Sequence, residues 1–408
     1  MRRLVLVASL LLAVAAGGCD SARHVAVVVM PRSSVEDQRI DFRVSGLAPH
    51  QHISLRLHAT DAEGHRFSAA DSYVADANGT LDTARTASQE GGTYAGAWSS
   101  GLLVTMHSPK SAFIWHDSRG FRFKLDVRTG GRTVATSTFV RRLSPSPLQE
   151  RHLAVPANGF EGTYVFPRGA HDRPAVLDFG GSEGGPGNPF YSASFAAEGI
   201  PALTVGYFHA PGLPRDLKRI PIEYFARALR WLDRQPQVDS KRVTVIGVSR
   251  GSEAALLLAV HFPSLVGAVA AIVPSSVANC GIQVRGVGGC VGPPWTLHGR
   301  PLPYTREFGN LHPDDDPHAA IPVGRIHRPI LLACAGMDDL WPSCPSSHEI
   351  ERRHGTSGLE LDEYPQAGHY IGALIPYEPS LLTYDIPTER AREALWPRIL
   401  AFVKGVGR

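Results

Sequence analysis

The residue of this chain best placed to do chemistry is the serine of Gly247-Val-Ser249-Arg-Gly251. A β-branched run, Val243 to Ile246, drives into it, and an Ala/Leu-rich helical stretch leaves it at once. Strand, tight turn and helix in that order make a nucleophile elbow, which lifts one hydroxyl out of a sheet. Glycines flank the serine because the turn is crowded and a Cβ at either position would clash. The helix that follows points its free N–H groups at the site, where they favour developing negative charge.

A serine hydroxyl is a poor nucleophile near neutral pH. It needs a base, a group that orients the base, and donors for the oxyanion. With the nucleophile on such an elbow, an acid and then a histidine follow later in the chain. The apolar run Pro329–Cys334 opens into Ala335-Gly-Met-Asp338-Asp339-Leu-Trp341, which offers two adjacent carboxylates. Successive residues after a strand point to different sides, so only one of them can address the histidine. Asp339, three residues beyond Gly336, is the expected orienter, with Asp338 bracing the loop. Leu359–Tyr364 leads to Gly368-His369, and His369 is the expected base, whereas His348 and His354 fall in helical or exposed stretches. The backbone N–H of Arg250 is the expected first oxyanion donor. The second is expected from Gly180-Gly181-Ser182-Glu183-Gly184-Gly185, where glycines let amides approach a substrate oxygen and either Ser182 or Glu183 supplies the N–H. Glu183 lies too early in the chain to be the acid.

The elements that must hold these residues fall into two kinds. From residue 24 to 145 the pattern has period two: Ile40, Phe42 and Val44, then Ile53, Leu55 and Leu57, then Phe121, Phe123, Leu125 and Val127 alternate with polar neighbours. Turn signals such as Asn78-Gly79 and Gly130-Gly131 separate the runs, which describes an all-β, immunoglobulin-like sandwich. Residues 146–160, with Pro147 and Pro156, read as a linker. From 161 to 408 buried strands (175–179, 202–205, 243–246, 268–273, 330–333, 359–364) alternate with helices (190–198, 221–234, 252–261, 345–354, 388–404). That is a mostly parallel sheet covered on both faces, an α/β-hydrolase domain. The stretch from Cys280 to Gly309, rich in Gly and Pro, is expected to cover the site.

Composition narrows the function further. The 408 residues carry a net charge of +3 with no basic block, so nucleic acid is not expected as a partner. No G-x-G-x-x-G or Walker A sequence follows a strand, and no H-E-x-x-H or Cys/His cluster stands among the 18 histidines, so neither a cofactor nor a metal is expected. Arg2-Arg3, the apolar run Leu4 to Ala16 and the small residues before Cys19 read as an export signal spanning 1–23. Cys19 after those small residues resembles a bacterial lipobox, which makes a lipid-anchored cell-envelope protein the first expectation and a secreted one the second. The other four cysteines form two close pairs, Cys280/Cys290 and Cys334/Cys344, consistent with local disulfides in an exported chain.

Together these residues resemble the acyl-CoA thioesterases of the bile acid-CoA:amino acid N-acyltransferase family along nearly the whole mature length. In the first half the resemblance rests on Tyr73 to Gly79, Gly92-Thr-Tyr94 and Gly101-Leu-Leu103. In the second it rests on Gly180–Gly185, Tyr207-Phe208, Ile220 to Phe225, Gly247–Gly251, Asp338-Asp339-x-Trp341 and Gly368-His369-Tyr-Ile371. It implies Ser249 as nucleophile, Asp339 as orienter and His369 as base, acting on a small-molecule acyl thioester. Serine at the nucleophile, where the N-acyltransferase branch has cysteine, implies water as the acyl acceptor. The export signal departs from the family, since CoA thioesters are cytoplasmic metabolites. An envelope carboxylesterase or peptidase-like hydrolase with the same triad is the alternative; an N-acyltransferase or a noncatalytic lipoprotein fits less well.

Overall fold

The computed structural model describes residues 24–109, 113–115, 120–283, 289–306, 316–379 and 386–407, and every count of elements below refers to these. The expected signal segment with Cys19 lies outside them.

The first half is built from eight strands. A five-stranded sheet has the order β2 (Ser33–Val35), β8 (Arg132–Arg142), β7 (Phe121–Thr129), β4 (His52–Thr60), β5 (Arg66–Val74). A three-stranded sheet pairs β1 (Ala26–Met30), β3 (Asp41–Ser45) and β6 (Leu81–Asp82). All these pairs are antiparallel except β2 with β8. The period-two pattern explains the packing: Ile53, Leu55 and Leu57 of β4 are buried while their neighbours face outward. Phe123 stacks on Phe139 at 5.2 Å between ring centres, and Phe139 meets Phe42 across the sheets at 5.9 Å. At the expected Asn78-Gly79 turn, Gly79 has φ +71°, which a side chain rarely adopts. One helical turn, α1 (Gly101–Val104), is buried beside this core.

The second half carries an eight-stranded sheet in the order β19 (Leu359–Tyr364), β18 (Ile330–Ala335), β15 (Ala268–Ile272), β14 (Val238–Val248), β11 (Arg173–Phe179), β12 (Ala202–Gly206), β10 (Glu161–Pro167), β9 (Leu148–Leu153). Its first six members run parallel, and β10 and β9 are antiparallel to their neighbours. Strands β12, β15 and β18 are buried at every position because helices cover both faces. Val245, Val269 and Leu332 pack with α4 (Ile222–Leu232), α5 (Arg250–His261) and α6 (Ser343–His354). The alternate residues Ile246, Ile272 and Leu331 pack with α3 (Pro189–Ala197) and α7 (Ile386–Gly405). This is the expected α/β-hydrolase architecture following an all-β sandwich.

One expectation is corrected. The stretch 146–160 is not a bare linker, because 148–153 is the edge strand β9, in register with β10 (Thr163 opposite His152), and a short turn, α2 (Val155–Asn158), follows it. An edge strand exposes most of its side chains, so Gln149 to His152 are polar and give no apolar run to read. Three short strands, β13 (Ile220–Pro221), β16 (Trp295–Leu297) and β17 (Arg300–Pro301), form a small separate sheet that includes part of the segment expected to cover the site. Cys280 lies beside Cys290 and Cys334 beside Cys344, with Cα–Cα separations of 5.4 and 4.9 Å, both within disulfide reach. No helix among the described residues is long and apolar enough to cross a membrane.

Candidate active site

Strand β14 ends at Val248 and α5 begins at Arg250, leaving Ser249 alone on the turn with φ 56° and ψ −122°. That is a sparsely populated conformation for a residue with a Cβ, held by a hydrogen bond from Ser249 N–H to the Ile272 carbonyl (2.9 Å) and one from Ser252 N–H to the Ser249 carbonyl (2.9 Å). The flanking glycines are sterically required: a Cβ on Gly247 would lie 2.8 Å from Ala255 Cβ, and one on Gly251 would lie 2.7 Å from the Phe179 carbonyl oxygen.

His369 opens a short 3-10 turn, His369–Ala373, just past β19. The turn is pinned by Gly368 N–H donating to Thr388 Oγ1 at 2.8 Å. His369 Nε2 is 3.0 Å from Ser249 Oγ. On the other side of the ring, Nδ1 lies 2.8 and 2.9 Å from the two oxygens of Asp338. An ionised carboxylate only accepts, so Nδ1 carries the proton and Nε2 is left to accept from the serine hydroxyl. Ser249 and His369 are 8% and 7% exposed, and the Asp338 side chain is 1% exposed, so this chain of bonds is screened from bulk water.

The acid partner differs from the expectation. Asp339 is exposed and does not contact His369; Asp338 does. The cause is the phase of the loop after β18. Gly336 N–H bonds to the Tyr364 carbonyl and Met337 N–H to the Ala367 carbonyl, both at 2.9 Å, which ties the loop to the histidine loop early and turns residue 338 inward. Asp338 Oδ1 also accepts from Leu340 N–H (3.1 Å) and Trp341 N–H (3.3 Å), so it braces its own loop as well. The Trp341 ring meets the His369 ring edge-on, with centres 5.4 Å apart.

The glycine loop approaches the serine at Gly181, where an added Cβ would be 2.8 Å from Ser249 Cβ and 3.1 Å from its Oγ. Gly181 N–H donates to Glu183 Oε2 at 2.8 Å, so the Glu183 carboxylate curls back over its own loop. Desolvation there pushes its carboxyl above the usual range. Gly184 and Gly185 both have positive φ, +66° and +94°, and carry the chain away toward α3. Tyr207 OH donates to the carbonyls of Gly180 and Gly181 and fixes the loop from below. Ser182 follows Gly181 directly, and Arg250 is the first residue of α5, next to Ser249 in the chain.

Two features were not read from the sequence. The Arg250 side chain, considered only for its backbone, is fully buried and donates to the carbonyls of Asn279 (2.7 Å) and Cys280 (2.8 Å). It pairs with the equally buried Glu253 one turn on, at 3.1 Å. Glu253 in turn accepts from Trp295 Nε1 (2.7 Å) and Asn279 Nδ2 (3.0 Å). Burial pushes Glu253 up, opposed by Arg250, and pushes Arg250 down, opposed by Glu253. Acidic and basic residues at i and i+3 beyond an elbow are a weak signal by themselves, which is why the pair was missed. The second feature is Asp178 on β11, beneath the glycine loop. It is 2% exposed and bonded to Thr204 Oγ1 at 3.0 Å, and desolvation raises its carboxyl to about 7.

Comparison with known proteins agrees with this geometry. A family model described as "Acyl-CoA thioester hydrolase/BAAT N-terminal region" matches residues 37–154, and one described as "BAAT / Acyl-CoA thioester hydrolase C terminal" matches 220–385. The second span contains Ser249, Asp338 and His369. Acyl-coenzyme A thioesterase 6 of Mus musculus is 30% identical, with 84% of each chain covered. Mitochondrial acyl-coenzyme A thioesterase 2 of the same species is 30% identical over 84% of this chain and 78% of its own. Human acyl-coenzyme A thioesterase 1 is 29% identical, with 84% of each chain covered. Relatives at this identity over this share of both chains settle kinship: the chain belongs to the acyl-CoA thioester hydrolase/BAAT family.

Proposed function

We propose that the chain is a serine hydrolase that cleaves acyl-CoA thioesters to a carboxylic acid and CoA. The observation that carries the reading is the unbroken hydrogen-bonded chain Ser249 Oγ, His369, Asp338 at a strained elbow. Ser249 Oγ attacks the thioester carbonyl while His369 Nε2 takes its proton. Asp338 holds the imidazole in the required tautomer and balances its charge. Arg250 N–H and an amide of the glycine loop, from Ser182 or Glu183, receive the oxyanion. The same histidine proton passes to the departing thiolate, and water activated by His369 then releases the acid from Ser249. The identity of the relatives supports a thioester substrate, and serine at the nucleophile supports water over an amine as acceptor.

A second reading has its own observation. Two cysteine pairs stand at crosslinking separation, and we read both as disulfides, which suits an oxidising compartment. With the export signal and Cys19 lipidation proposed from the sequence, an envelope carboxylesterase using the same triad follows. Parallel assays on acyl-CoA and p-nitrophenyl esters, with cell fractionation, separate the two. Ser249→Ala and His369→Ala are each expected to lower kcat on the order of a million-fold in a folded protein. Near-wild-type turnover in either purified variant would overturn the mechanism.

A further inference from the structure

The loop that carries Asp338 must hold a carboxylate still while being largely outside the core. Gly336, Met337, Asp339 and Leu340 are all exposed, Met337 and Leu340 at 67% and 50%. Segments with so little buried side-chain surface open locally at low cost. An acid that wanders by an ångström from His369 loses the orientation on which the base depends.

The neck of the loop answers this problem. Cys334 is the next-to-last residue of β18 and Cys344 the second of α6, with a Cα–Cα separation of 4.9 Å. Beside them, the Ser343 hydroxyl accepts from Ala335 N–H and donates to the Ala335 carbonyl, both at 3.2 Å. Within the neck, Trp341 Nε1 donates to the Val273 carbonyl at 3.1 Å, at the end of β15, while its ring flanks His369. The segment between the two cysteines therefore contains both groups that hold the imidazole: the carboxylate on its Nδ1 and the indole at its side. A crosslink ten residues apart in sequence removes the open states of this segment and of little else.

We propose that the Cys334–Cys344 disulfide and Trp341 are positioning elements of the catalytic site, and that reducing this one bond disarms the enzyme without unfolding it. The inference rests on the hydrolase reading above. With dithiothreitol as reductant, one thiolate attacks a cysteine sulfur to form a mixed disulfide, and the second closes on it. Two electrons and two protons pass to Cys334 and Cys344, which end as thiols, and the reductant ends as its cyclic disulfide.

The test uses the full chain with Cys280→Ser/Cys290→Ser as background, so that one disulfide remains to be reduced. Reduction, and independently Cys334→Ser/Cys344→Ser, are expected to lower kcat about 10- to 100-fold with KM changed less than twofold. Far-UV circular dichroism at the assay temperature is expected to stay unchanged, and reoxidation to restore the rate. Trp341→Phe is expected to lower kcat in the same manner. In an Asp338→Asn/Trp341→Phe background, reduction is expected to change the residual rate less than twofold, since both groups it positions are already gone. Unchanged kcat in the folded, reduced protein overturns the proposal. So does a loss of equal size with and without those two groups. Labelling of the oxidised protein by a fluorophosphonate keeps the two levels apart: without labelling at Ser249 the hydrolase reading itself fails, and with labelling only the role of the crosslink is at stake.

Discussion

At the scale of single residues, the decision between Asp338 and Asp339 carries the sharpest consequence. Asp338→Asn keeps the shape of the loop but cannot hold the Nδ1–H tautomer, and kcat is expected to fall on the order of ten-thousand-fold. Asp339→Asn removes an exposed charge that touches neither His369 nor Ser249, and kcat should stay within about twofold of the parent, in keeping with ordinary surface substitutions. Steady-state kinetics on both purified variants settles the assignment; the reverse ranking would sink it. Ser249 and His369 were legible in sequence because each follows a readable apolar strand and their order is set by the topology. The acid was not, because two carboxylates stand side by side and their facing is set by Met337 N–H reaching the Ala367 carbonyl. A contact between loops thirty residues apart leaves no mark in local spacing.

At the scale of elements, the elbow is more than a strand–turn–helix. The first turn of α5 is anchored by an ion pair with no exposure at either side chain, and the pair grips Asn279, Cys280 and Trp295. Glu253→Gln would leave the Arg250 guanidinium without its counter-charge in a dry site, and removal of one partner of a buried pair costs about 3–5 kcal/mol. Urea unfolding should show that loss. A change under about 1 kcal/mol would mean the pair contributes little net energy at this position. Strands β12, β15 and β18 of the second half were legible because their apolar runs are unbroken, whereas β10, buried at six of its seven positions, was not read from the sequence. Edge strand β9 was hidden by its polar side chains, and the small sheet of β13, β16 and β17 by its two- and three-residue strands. The sandwich was readable as alternation, but the order of its strands across two sheets rests on long-range pairing that no local pattern encodes.

At the scale of the whole molecule, buried carboxyls make stability depend on pH in an unusual direction. Desolvation raises Asp178 to about 7 in the folded chain, well above its unfolded value near 3.9. A raised carboxyl contributes stability that is fully present below about pH 4 and is lost progressively as pH rises to about 7, because over that range the unfolded chain has released the proton that the folded chain still keeps. Asp178→Asn stays neutral and can still accept from Thr204. Its melting temperature relative to the parent should therefore climb between about pH 4 and 7 and level off above that; a difference that stays flat from about pH 4 to 7 would refute the account. The sandwich and the second half are joined through Trp98 to Glu393 and Trp396 to Asp37 on α7, each at 2.8 Å, and through Trp115 stacked on Phe190 of α3.

The left-handed backbone of Ser249 sets the interest of the fold against the interest of the reaction. For folding alone, glycine is the better residue at φ 56°, since a Cβ there costs on the order of 1–3 kcal/mol. Ser249→Gly should therefore melt above Ser249→Ala, although both lack the hydroxyl and both are inert; equal melting temperatures would contradict the strain. A serine at this turn therefore carries a cost to the fold that glycine would avoid, and only a use of its hydroxyl offsets that cost.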